Sequence, residues 1–113
     1  MKIITGGITV AELKTMASGL FGNFVKGVVD VERSILALDA ELHADLEAFL
    51  IQQGSKQTAL WGINLYPELE GDDFLEFDSM INIKPSQGNR SRSVNDPAIR
   101  EEITRIVNKA VKK

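Results

Sequence analysis

Thr58-Ala59-Leu60-Trp61-Gly62-Ile63-Asn64-Leu65-Tyr66 and Leu75-Glu76-Phe77-Asp78-Ser79-Met80-Ile81-Asn82-Ile83-Lys84 decide the fold, because apolar and polar residues alternate along both. Odd positions carry Trp61, Ile63 and Leu65 in the first run and Leu75, Phe77, Ile81 and Ile83 in the second. Even positions carry Asn64, Tyr66, Glu76, Asp78, Asn82 and Lys84. A period of two is the signature of a strand with one buried face. A one-residue slip would invert either strand, so the pattern also selects the core side. It predicts a hairpin over 58–84 with the odd positions inside, joined by an acidic connection that contains Gly71.

Working outward, Thr9-Val10-Ala11-Glu12 matches a capping box, in which the threonine hydroxyl and the glutamate carboxylate satisfy each other's free amides. Leu13, Met16, Ala17 and Leu20 follow at helical spacing, which predicts a helix over 9–21. The β-branched run at 25–31 and the segment 35–38 predict a first hairpin, although the turn at Glu32-Arg33 lacks the usual glycine. Leu42, Leu46, Phe49 and Leu50 lie on one helical face, and Gly54 marks a stop, so 41–53 is predicted to be helical. Asp96-Pro97 supplies an N-cap and a first-turn proline for a last helix over 96–111, with Ile99, Ile103, Ile106, Val107 and Ala110 as its buried stripe. The expected fold is a single α+β domain over 1–113 in the order α-β-β-α-β-β-α. Its mostly antiparallel four-stranded sheet would carry its helices on one face and leave the other open.

Five blocks resemble a family of small prokaryotic single-domain proteins classed as a domain of unknown function. They are Val28 to Glu32, Glu41 to Asp45, Gly54 to Gln57, Leu60-Trp61-Gly62-Ile63-Asn64-Leu65-Tyr66-Pro67, and Ser79 to Ser91 with its Pro85-Ser86-Gln87-Gly88-Asn89-Arg90-Ser91 core. The resemblance spans nearly the whole chain and implies one domain. It brings no assigned activity and no catalytic residues.

Composition excludes more than it selects. The 113 residues are 43% hydrophobic, enough to fill one core without a metal or disulfide. With no cysteine there is no thiol nucleophile, iron–sulfur cluster or thiolate zinc site. The N-terminal apolar stretch is too short for a signal peptide, and no run is long enough to span a membrane, so a soluble cytoplasmic protein is expected. The net charge of −3 is unevenly spread. Glu68, Glu70, Asp72, Asp73, Glu76 and Asp78 form an acidic lobe, whereas Lys84, Arg90 and Arg92 form a modest basic segment free of acids. Three cations are too few for a general nucleic-acid surface, so no DNA binding is expected.

Candidate chemistry falls in three places. His43 is the sole histidine, and on a helix Glu47 lies one turn beyond it, an acid/base pair that Asp30, Asp45 or Asp78 could assist. The alternative is a helix pair that only packs and hydrogen-bonds. Asn64 and Asn82 occupy strand positions that disfavour asparagine, each three residues before a proline. They either recognise a ligand's polar edge or brace the turns at Pro67 and Pro85. The segment from Lys84 to Arg92 is rich in donors, with Asn89, Arg90 and Arg92 suited to a phosphate or carboxylate. Alternatively it is a solvated connection whose arginines pair with the acidic lobe. Ser34, Ser55 and Ser79 lack the context of a nucleophile elbow, and Trp61 reads as core. No metal or cofactor is expected.

The leading expectation is a binding or interaction module built on Asn64, Asn82, Lys84, Asn89, Arg90 and Arg92. Its partner would be a small anionic ligand or an acidic protein, and the chain would act as a monomer or homodimer. The alternatives are a small acid/base enzyme using His43 and Glu47, and an RNA-contacting protein of toxin or ribosome-associated type, which the net acidity opposes. Convergence of Asn64, Asp78, Asn82 and His43 in one hollow would favour the enzyme over a flat docking face.

Overall fold

The computed structural model describes residues 1–113. Its centre is an antiparallel ribbon formed by β3 (Val25–Asp30) and β5 (Leu60–Leu65), in which Val25, Gly27 and Val29 face Leu65, Ile63 and Trp61. On the far side of β3 lie β4 (Ile35–Leu38) and then β1 (Lys2–Ile3), whereas β6 (Leu75–Glu76) pairs with the end of β5. The resulting sheet has five strands in the order β1-β4-β3-β5-β6, all antiparallel. A short parallel pair, β2 (Ile8–Thr9) with β7 (Val111–Lys112), fastens the two ends of the chain together.

The α+β class and the mostly antiparallel sheet agree with the sequence reading, but the expected four strands become five because Lys2–Ile3 adds an edge strand. The helices are α1 (Val10–Ser18), α2 (His43–Gln52) and α3 (Pro97–Ala110). The capping box forms as read, with Glu12 N donating to Thr9 Oγ1 and Thr9 N to Glu12 Oε1, both at 3.0 Å. Asp96 caps α3 by accepting from Ala98 N at 2.9 Å.

The helices do not share one face. Leu13 and Ala17 of α1 and Ile103, Ile106 and Val107 of α3 pack with Val25, Val29, Trp61, Ile63 and Leu65. Leu46 and Leu50 of α2 pack on the opposite side with Val28, Ala37 and Leu60. The expected open face is therefore covered in part. The signal was present in Val25, Val28, Val29 and Leu60, which do not alternate, because a strand buried on both faces reads as a continuous apolar run.

The glycine-free first turn has a side-chain solution. Asp30 Oδ1 accepts from Glu32 N and Arg33 N at 2.9 Å, its Oδ2 accepts from Ser55 Oγ at 2.6 Å, and Ser34 takes the positive φ of 55°. Such Asx geometry lets a short polar side chain stand in for a backbone turn.

The second hairpin departs most from its sequence pattern. β6 ends at Glu76, and 80–82 forms a 3-10 turn with Ser79 as its cap. The departure has a clear cause: the Asn82 side chain takes the place of the strand. Gly62 N donates to Asn82 Oδ1 at 2.7 Å, and Asn82 Nδ2 donates to Gly62 O at 2.9 Å. One amide side chain thus satisfies the edge of β5 as a backbone ladder would. The close approach requires glycine at 62, where an added Cβ would stand 2.5 Å from Ser79 Cβ. Beyond this point the odd–even rule fails. Trp61, Ile63 and Leu65 are buried, and Phe77 packs beside them as read, but Ile81 joins the α2 side and Ile83 is 38% exposed.

Candidate functional site

The hollow that gathers most of the polar chemistry lies where the N-terminus of α2 meets the open end of β5. Register explains why its residues meet. Lys26 on β3 stands opposite Asn64 on β5, and Asn64 stands opposite Glu76 on β6, so three polar residues cross the sheet in a row. All three point to the α2 side, just beyond the apolar patch of Val28 and Leu60, so α2 covers one part of this face and leaves the other as a cleft. The cleft holds about 430 Å³ and is also lined by His43, Tyr66, Asp78 and Arg92.

Asn64 is 6% exposed. Its Nδ2 donates to Glu76 Oε1 at 2.8 Å and to the Asp78 carbonyl at 3.2 Å, which fixes the amide orientation because both partners only accept. The Asn64 Oδ1 is buried and has no partner. Glu76 Oε1 also accepts from the Tyr66 hydroxyl at 3.0 Å, and burial followed by that carboxylate raises the Tyr66 pKa. Asp78 Oδ1 accepts from Arg92 Nε at 2.7 Å. Phe24 stacks on Tyr66 with ring centres 5.4 Å apart and adds an aromatic wall.

His43 opens α2 and is 9% exposed. Its Nε2 lies 2.8 Å from the Ile63 carbonyl, an oxygen that can only accept, so Nε2 carries the hydrogen. Burial lowers the imidazole pKa below 6.5; the Ile63 carbonyl, Asp78 and Asn64 oppose that shift, and Lys26 adds to it. The neutral ring therefore presents Nδ1 as a lone pair. Glu47 makes no hydrogen bond to His43, and its charge acts instead on Lys84, opposing the burial that lowers the lysine's pKa.

Of the other candidates from the sequence, Arg92 borders the cleft, whereas Asn82, Lys84 and Asn89 lie elsewhere and are occupied. Asn82 is fully buried on Gly62 and the Arg92 carbonyl. Lys84 Nζ donates to the Gln57 carbonyl at 2.6 Å and lies 5.1 Å from the Trp61 ring centre. Asn89 Nδ2 donates to the carbonyls of Asn82, Ser91 and Ser93, while its Oδ1 accepts from Asn95 N. The segment closes on itself through paired backbone bonds between Lys84 and Asn89, with Gly88 at φ 79°. Arg90 is exposed and makes no side-chain bond. Of the four residues proposed to converge, His43, Asn64 and Asp78 do, and Asn82 does not.

Lys26 and Phe24 were missed by sequence reasoning, and Glu76 was read as part of the polar face without being singled out. Their signal is cross-strand register, which becomes visible only once β3 is paired with β5. A second hollow, of about 340 Å³ beside Gly6 and Gly7, is lined by Lys109 and Lys112 together with Arg105, which pairs with Glu102. No group of three or more histidine, aspartate or glutamate side chains is placed to hold a metal ion. No helix is long and apolar enough to cross a membrane.

No curated protein and no solved structure matches the chain. A family of uncharacterised domains does match, over residues 2–110, and covers the sheet, all three helices and the cleft. The chain belongs to that family, described as protein of unknown function (DUF5674).

Proposed function

We propose that the protein is a small-molecule-binding domain, acting as a single cytoplasmic unit, whose site is the cleft at Asn64 and His43. The observation that carries this reading is the unpaired Asn64 Oδ1. A buried acceptor without a donor costs about 1–3 kcal/mol, and a position that disfavours asparagine in a strand makes the cost harder to explain by folding alone. Oδ1 is closed to solvent, so a ligand that supplies the missing donor recovers that energy only by displacing the side chains that cover it. The cleft volume falls within the usual range for small-molecule sites, and an aromatic wall stands beside a lining that is more polar than most of them have. The anion fork imagined at Arg92 is weakened by its pairing with Asp78.

The test is a fragment screen followed by amide and side-chain NMR shifts on labelled protein. Hits should cluster at His43, Asn64, Tyr66 and Asp78. A broad fragment set that leaves these signals unmoved would remove the reading. One observation favours acid/base catalysis as a second reading, namely a neutral His43 in the same cleft as Asp78, whose charge acts on the ring. Turnover of a bound fragment, lost in His43→Gln, would establish it.

A further inference from the structure

Hydrogen-bond polarity narrows the ligand further. The Ile63 carbonyl fixes the hydrogen on His43 Nε2, so Nδ1 can only accept while the ring is neutral. Glu76 and the Asp78 carbonyl fix the hydrogens on Asn64 Nδ2, so Oδ1 can only accept in every state. The two side chains are close enough for Asn64 to raise the imidazole pKa through a side-chain hydrogen bond, so while the ring is neutral two neighbouring acceptors meet with no hydrogen between them. The donors on the cleft wall do not fill the gap: the Tyr66 hydroxyl is held by Glu76, and Arg92 Nε by Asp78. Lys26 Nζ lies over the Phe21 ring, 5.0 Å from its centre. Beside the acceptors stand stacked Phe24 and Tyr66, and exposed Leu42 and Met80 form an apolar rim.

We propose that the ligand carries an N–H donor group, an amide or amidine NH₂, on a planar ring, with the NH₂ bridging Asn64 Oδ1 and His43 Nδ1 once a side-chain shift opens Oδ1, and the ring against Phe24 and Tyr66. This assignment rests on the cleft being a ligand site, and a matched set of probes separates the two. Benzamide, benzamidine and benzoate share a ring and differ in the polarity of its substituent. At pH 7.5, benzamide and benzamidine should shift the Asn64 side-chain amide and the His43 imidazole signals, and benzoate should not.

Benzamide does not titrate in the relevant range, so its pH dependence belongs to the protein. Acidification that protonates Nδ1 converts an acceptor into a donor and should weaken benzamide about fivefold, the worth of one hydrogen bond. The charged or titratable groups facing His43 are Lys26 from β3, Tyr66 after β5, Glu76 from β6, and Asp78 and Arg92 beyond it. His43→Gln keeps a donor for the Ile63 carbonyl and removes the titrating ring, so the pH dependence should vanish in that variant. The wild-type comparison of the three probes needs no variant to fold. Benzoate binding in the cleft in preference to benzamide would overturn the donor assignment and keep the site. Silence from all three probes would also overturn it, and the wider fragment set then decides the site itself.

Discussion

The segment from Lys84 to Arg92 and the cleft at Asn64 differ in how they use their polar groups. In sequence the segment is the richer, with two arginines, a lysine and an asparagine beside a glycine. In the fold Lys84 and Asn89 are bonded to main-chain carbonyls, and Arg92 holds Asp78. The cleft has fewer donors, yet it retains an acceptor that nothing satisfies. Abundance of polar groups therefore marks a braced turn here, and an unsatisfied acceptor among other polar side chains marks the candidate site. Buried polar groups are nearly always satisfied, and the chain has two exceptions: Trp61 Nε1, a donor among core side chains beside the segment, and Asn64 Oδ1, the one of the two that belongs to a residue lining the cleft.

The comparison breaks most visibly at Asn89. Its side chain holds three carbonyls and one amide, all within the turn that precedes α3. Asn89→Ala strands these groups, each buried one worth about 1–3 kcal/mol, so a loss of about 3 kcal/mol is expected. Denaturant titration should show it as a lower midpoint with an unchanged slope. Asn82→Ala should behave alike, because it unpins Gly62 from the chain that crosses it. A variant of either kind that melts like the parent would mean the segment is free to serve a ligand. Asn64→Ala is the contrasting case: it removes two bonds from Nδ2 but also removes the unsatisfied Oδ1, so it should cost less than Asn89→Ala while abolishing fragment shifts at the cleft.

Local signals were legible in the sequence wherever one residue acts on its own neighbours. The Thr9–Glu12 capping box, the Asp96 cap and the core face of Trp61, Ile63 and Leu65 all follow from short-range pattern. The strand expected after Glu76 failed because a side chain imitated a strand. Nothing in the alternation of Ile81, Asn82 and Ile83 distinguishes an asparagine that points outward from one that turns back on Gly62. Gly62 itself was the clue, since a glycine inside a strand marks close approach by another part of the chain. Of the site, His43 and Asn64 were visible as unusual residues. Their proximity was not, because it depends on α2 crossing to the opposite face from α1 and α3.

A smaller effect sharpens the comparison on the cleft side through pH. The folded protein holds the His43 pKa below its unfolded value near 6.5, chiefly by burial. The unfolded chain therefore binds more protons in that window, and stability rises with pH across it. The contribution is complete above about pH 6.5 and is lost as pH falls toward the folded pKa. Glu12 and Glu102 also have lowered pKa values, from hydrogen bonds to Thr9 and Arg105 respectively, but their stabilisation is lost only below 4.5. A thermal melt series between pH 7.5 and 5 should consequently fall in the wild type and stay level in His43→Gln. Equal slopes in the two would show that His43 is no more buried in solution than an exposed imidazole.

Arg90 should give the smallest effect of all. It extends into solvent from a turn whose shape is set by Asn89, Gly88 and the paired backbone of Lys84, and its own side chain holds nothing. An exposed residue away from caps, cavities and strained backbone changes stability by no more than about half a kcal/mol when truncated. Arg90→Ala should therefore melt with the parent and leave fragment shifts at Asn64 unchanged. Arg92→Ala is its partner in the test, because it differs by one exposed ion pair to Asp78 at the cleft's edge. Screening makes such a pair weak in stability. Its removal, however, frees an Asp78 oxygen beside the two acceptors, so a cationic probe such as benzamidine should gain affinity relative to neutral benzamide. If Arg90→Ala changes benzamidine binding as much as Arg92→Ala does, the effect is long-range charge and the cleft has no local claim on the probe.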